Sequence, residues 1–173
     1  MKHSLALAAS LVASVALVGM IPASARERNL TWNEIALEMG CPRKAHTKDS
    51  PDGRRVIEYV PKGETVDRWT RLFTVQQMRI TTDDREANAI IHELIRAISD
   101  DLKRRRVKPT TWQVAKGNHG EVLFTEFTVK GEWNVMIAAR MGSGIIGICS
   151  LAGRGGAPTP RQKTVLRSQI GLS

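Results

Sequence analysis

The chain has 173 residues, within the ~100–200 expected of one domain, which excludes a multidomain assembly. Hydrophobic residues at 42% and charged residues at 25% match ordinary globular proteins, so a disordered chain and a polytopic membrane protein are excluded as well. A formal charge of +9 with a sequence pI near 10.2 directs attention to anionic partners without saying which.

Residues 1–25 read as an export signal. A basic start at Lys2 precedes an apolar run from Leu5 to Met20 that holds no charged residue, and Ala23-Ser24-Ala25 supplies the small-x-small pattern cleaved before Arg26. The run is shorter than the ~20 residues that a spanning helix needs. No second apolar run follows, so the expectation is a soluble protein of the periplasm, or a secreted one, without a transmembrane segment after cleavage. Two cysteines remain, Cys41 and Cys149, and an oxidising compartment permits one disulfide between them. The alternative is two separate buried thiols, and the sequence leaves both open.

Leu30-Thr31-Trp32-Asn33-Glu34-Ile35 carries a helix-start signature in which Thr31 caps, Glu34 reaches back, and Leu30 staples to Ile35. It predicts a short helix over 32–39, ended by Gly40 and Pro42. Residues 41–54 turn polar, with Ser50-Pro51-Asp52-Gly53 as a turn, and residues 55–60 read as a strand. After the break at Pro61-Lys62-Gly63-Glu64, residues 69–80 alternate as a second strand, which Trp69 opens as a core aromatic. Asp83 with Glu86 caps the clearest element, a helix over 84–105 whose Ala87, Ile91, Leu94, Ile98 and Leu102 recur at helical spacing.

Four more strands are predicted over 111–115, 121–129, 133–140 and 145–150, joined by short turns at Asn118-His119-Gly120, Lys130-Gly131-Glu132 and 141–144. Connections that short cannot join parallel strands, so the four form an antiparallel meander. Thr159, Pro160 and Gln162 are suited to start a short C-terminal helix after a glycine-rich linker. The expected fold is α+β: an antiparallel sheet of about six strands, packed against one long amphipathic helix, with a short N-terminal helix toward the other face. Residues 26–152 form its single domain, and residues 153–173 a flexible basic tail able to form a short helix.

The segment Glu58-Tyr59-Val60-Pro61-Lys62-Gly63-Glu64-Thr65-Val66-Asp67-Arg68-Trp69-Thr70-Arg71, followed by Thr74-Val75-Gln76, resembles a pattern in exported proteobacterial proteins. The order of elements, a tryptophan-threonine strand, a long helix and then a meander, is similar to the PsbP-like and DcrB-like α/β/α sandwiches. That resemblance implies an accessory or assembly factor rather than an enzyme. The matched residues contain no catalytic group.

Motifs for chemistry fail on their own terms. Gly142-Ser143-Gly144-Ile145-Ile146-Gly147 has dinucleotide-site spacing, but it leads into a predicted strand, and no acidic residue follows Glu132 to hold a ribose. His92-Glu93 lacks the second histidine of a zinc-protease helix, since Arg96 occupies that place. The histidines and cysteines show no metal-ligand spacing, and no cofactor is expected. A hydrolase site would require His92 or His119 to approach Cys149 in space, which is the alternative reading.

Basic residues are the remaining signal. Lys103, Arg104, Arg105, Arg106 and Lys108 put five cations into six positions at the end of the long helix, more than its dipole calls for. The expectation is a non-catalytic envelope protein that contacts an anionic partner there: lipid headgroups, polysaccharide or an acidic envelope protein. No aromatic residue interleaves the run to stack on bases, which argues against nucleic acid.

Overall fold

The computed structural model describes residues 30–79, 83–141 and 144–172. The export signal and its cleavage point lie outside the described residues. Within them no helix is long and apolar enough to cross a membrane.

Helix α1 (Trp32–Glu38) forms as its capping residues dictate, with Glu34 N donating to Thr31 Oγ1 and the Glu34 carboxylate accepting from Thr31 N at 2.7 Å. Seven strands follow: β1 (Arg43–Asp49), β2 (Arg54–Val60), β3 (Arg71–Arg79), β4 (Thr111–Gly117), β5 (Gly120–Val129), β6 (Glu132–Arg140) and β7 (Ile145–Gly153). Helix α2 (Asp84–Arg104) joins β3 to β4, and helix α3 (Pro160–Ser168) follows β7. Among the described residues all strands belong to one sheet in the order β1-β2-β3-β7-β6-β5-β4, and every neighbouring pair is antiparallel. The expected α+β class and the four-strand meander are both present.

The sheet has seven strands rather than the expected six or so, the additional one being β1, in the stretch expected to be polar loop. Its sequence, Arg-Lys-Ala-His-Thr-Lys-Asp, is almost entirely exposed, so it carries no hydrophobic alternation. It is an edge strand held by its ladder to β2, and its lysines and arginine guard the open edge against further pairing.

Alternation along the strands divides the sheet into two faces. One presents Ile57, Phe73, Val75, Cys149, Ile137 and Phe124, and α1 and α3 close it with Ile35, Met39, Leu166 and Ile170. The other face receives α2, which lies across β5 and β6. Ala87, Ile91 and Leu102 are buried there, whereas Leu94 and Ile98 are only half-buried. The apolar stripe of α2 is therefore wider than the surface the sheet gives it.

Residues 160–172 belong to the folded unit, which corrects the expectation of a flexible tail. Thr159 and Gln162 form a reciprocal cap, and Leu166, Ile170 and Leu172 enter the core. Gln162 Nε2 donates to Met39 O at 3.1 Å, and Arg161 grips the Glu38 carboxylate through two 2.9 Å contacts, so α3 is tied to α1. The apolar residues that do this are sparse and are spaced partly beyond the helix, which hides the face from a periodicity reading.

Trp133 supplies the large core aromatic, and Gly153 beside it makes the room: a Cβ there would fall 2.2 Å from the indole ring. Gly153→Ala is expected to destabilise the fold by roughly 1–3 kcal/mol through overpacking. Urea unfolding with an unchanged midpoint would show that the ring yields freely and is not a fixed part of the core.

Candidate functional site

Strands β2, β5 and β7 end, and strands β1, β3, β4 and β6 begin, at the same end of the sheet, to which α2 also descends. The basic run is thus delivered to a surface that also carries the β5–β6 turn and the residues after β7. The run divides into paired and unpaired cations. Lys103 pairs with Asp100 at 3.4 Å, and Arg104 and Arg105 both pair with Asp101, at 2.6 and 2.7 Å. Hydrogen bonds from Arg104, then Arg105, hold the Asp101 carboxyl below the usual carboxylate range. These pairs contribute above the ordinary carboxylate pKa, and that contribution is lost as pH falls through the depressed value. They are exposed helix-surface pairs of small energy.

Arg106 and Lys108 form no salt bridge among the described residues, and Lys130 joins them from the β5–β6 turn. With Arg105 they line an open cleft of about 830 Å³ in which Glu132 is the one acidic residue. Glu132 is itself engaged by Arg154 at 2.8 Å. Lys130 and Gly131 both have positive φ, 50° and 80°, and close a two-residue hairpin between the paired Val129 and Glu132. The turn is legible in the sequence as Lys-Gly; its position beside the end of α2 is not.

Arg106 occupies an unusual backbone position. Among the described residues, each of the three helices ends with two reversed hydrogen bonds around one left-handed residue. That residue is Gly40 after α1 and Gly171 after α3, but Arg106 after α2, at φ 58°. Val107 N donates to Leu102 O at 2.8 Å and Arg106 N to Lys103 O at 2.9 Å. A side chain in this conformation costs of order 1 kcal/mol or more, so a cation stands where glycine would be more stable.

The segment 58–71 reaches the same end of the molecule. Glu64 closes its loop by accepting from Thr70 N at 2.6 Å and Thr70 Oγ1 at 2.7 Å. Trp69 is not a core aromatic, contrary to expectation. It lies two residues before β3, half-buried, with the Arg154 guanidinium 4.2 Å above its ring. Arg154 also donates to Glu132, so it links the Trp69 loop to the basic cleft. Arg154 stands among glycines in Gly153-Arg154-Gly155-Gly156, where no periodicity points to its contacts.

The catalytic alternative is not assembled. Cys149 is fully buried on the face closed by α1 and α3, whereas His92 lies on α2 across the sheet. His92 Nδ1 instead lies 2.6 Å from Glu121 Oε2, and His119 is exposed in the β4–β5 turn. Burial pushes the Cys149 thiol far up and the Cys41 thiol up to about 12, which leaves both as poor nucleophiles. Nor are they bridged. Cys41 follows α1, Cys149 sits in mid-sheet between Val75 and Ile137, and both are free. The glycine-rich 142–147 run leads into β7 rather than a helix, and Gly142 and Ser143 lie outside the described residues. Among the described residues no three His, Cys, Asp or Glu side chains gather as a metal site requires.

No protein-family model matches the chain, and no curated protein matches it either.

Two outcomes check this geometry. Cys41 and Cys149 are expected to resist alkylation in the native protein and to label fully on denaturation without reductant; labelling that needs reductant would mean a bridge. Arg106→Gly is expected to stabilise the fold by up to about 1 kcal/mol, as relief of the left-handed strain outweighs the added freedom of the unfolded chain. A fall in thermal midpoint would mean that the Arg106 side chain holds the fold together.

Proposed function

We propose that the protein is a non-catalytic accessory factor of the bacterial envelope that binds an anionic partner in the cleft lined by Arg105, Arg106, Lys108 and Lys130. The observation that carries this reading is the convergence of unpaired cations from two separate chain segments on one concavity. Three of its four cations lack a carboxylate partner among the described residues, and its single acid is engaged by Arg154. Like charges held together without partners repel one another and weaken the fold, so their grouping favours a ligand that neutralises them. Guanidinium groups add directional pairing with phosphate or carboxylate oxygens.

Further support comes from the chain's overall charge and from the export signal read in its sequence. The resemblance to exported proteobacterial proteins and PsbP-like accessory factors points the same way, toward a periplasmic or secreted protein without turnover. Among anionic partners, an envelope lipid, polysaccharide or acidic protein suits the cleft better than nucleic acid. No aromatic side chain lines the cleft, and Trp69, linked to it through Arg154, has that guanidinium over its ring.

The triple variant Arg106→Gln, Lys108→Gln, Lys130→Gln is expected to fold normally and to lose most of its retention on anionic vesicles or envelope polysaccharide. Retention of the unaltered protein should fall steeply with salt, because exposed charges are screened over about 8 Å at physiological ionic strength. The control removes equal charge at the far end, through Lys48→Gln, Arg79→Gln and Lys116→Gln. Equal losses in both triple variants would reduce the effect to net charge and remove the cleft from the account.

A further inference from the structure

An apolar slot opens beside the basic cleft. It lies between α2 and the sheet, about 480 Å³ in volume, and is lined by Ala97, Ile98 and Leu102 from the helix and by Phe127, Val129 and Met136 from the strands. The slot is a groove half-open to solvent; Asp101, Arg105, Glu132 and Asn134 also line it, and the rest of its wall is apolar surface left unfilled at the side of the helix. Slot and cleft share Arg105, Val107, Val129 and Glu132, which makes them one continuous depression, apolar at its inner part and cationic at its mouth. Each volume lies within the ~300–1,000 Å³ range of small-molecule sites. The carboxylates that touch the depression, Asp101 and Glu132, are paired with Arg104, Arg105 and Arg154, so they do not oppose an incoming anion.

We propose that this depression binds a single-chain phospholipid, with the acyl chain under α2 and the phosphate at Arg105, Arg106, Lys108 and Lys130. The assignment rests on the anionic reading of the cleft and deepens it. A polysaccharide or an acidic peptide would use the mouth and leave the slot empty. An acyl chain removes apolar surface from water on both sides, and the phosphate meets guanidinium and ammonium donors of opposite charge. Two cations fit a phosphate headgroup better than a lone carboxylate: Arg106, held in place by its helix-end backbone, and Lys130, held by its two-residue turn.

The test is calorimetric titration of the full chain with lauroyl lysophosphatidate below its micellar concentration, compared with glycerol 3-phosphate and with neutral monolaurin. Lysophosphatidate is expected to bind at least about tenfold more tightly than either, a margin that burial of two methylenes already supplies. Ala97→Trp fills the slot from an exposed helix position. It is expected to lower lysophosphatidate affinity to that of glycerol 3-phosphate while leaving glycerol 3-phosphate unchanged. Arg106→Gln with Lys108→Gln and Lys130→Gln should weaken both phosphates. Equal affinity of lysophosphatidate and glycerol 3-phosphate, or no effect of Ala97→Trp, would overturn the acyl assignment and leave the anionic reading standing. Monolaurin binding as tightly as lysophosphatidate, or no binding of either phosphate, would overturn both.

Discussion

The ladder between β3 and β7 is the contact on which the rest of the molecule depends. It pairs Arg71 with Gly153 and Arg79 with Ile145, and so joins a three-strand unit at one end of the chain to a four-strand meander at the other. Without it there would be two small sheets, each with exposed edges and neither wide enough to carry α1 and α3 on one face and α2 on the other. Its partners lie some seventy residues apart, and closing that loop costs entropy that only the shared core can offset. Phe73, Val75, Cys149 and Leu151 meet along this ladder and supply that core.

The same ladder decides where the charge goes. Because β3 ends opposite the start of β7, α2 must run back along the sheet and finish where β6 begins. Its basic end then meets Lys130 in the β5–β6 turn and Glu132 with Arg154 just beyond. The helix dipole accounts for cations in its last turn, and the Asp100 and Asp101 pairs absorb Lys103, Arg104 and much of Arg105. Neither accounts for Arg106, which holds a backbone conformation that the other two helix ends give to glycine. Arg106 is thus a strained cation with no ion-pair partner among the described residues, and it lines the cleft that adjoins the slot.

Much of the architecture is legible in the sequence because it is local. Thr31 with Glu34, Asp83 with Glu86, and Thr159 with Gln162 announce three helix starts, and each cap forms as read. Short turns force the meander. What escapes is whatever lacks a local pattern: β1, whose side chains face water and so show no alternation, and the packing of α3, whose core contacts include Ile170 and Leu172 beyond the helix itself. Trp69, expected in the core, is half-buried under Arg154, whereas Trp133 is the buried indole, because burial depends on tertiary neighbours that no local pattern reveals.

The sequence by itself determined the fold class, the three helix starts, the antiparallel meander and the basic character of the end of α2, because caps, turns and periodicity act over a few residues. Only the tertiary structure decided that Cys41 and Cys149 stay apart, that Cys149 and His92 lie on opposite faces of the sheet, and that Arg106, Lys108 and Lys130 share one cleft. The reason is physical: a side chain's chemistry depends on its neighbours in space, and here the neighbours are set by strand pairing across most of the chain's length.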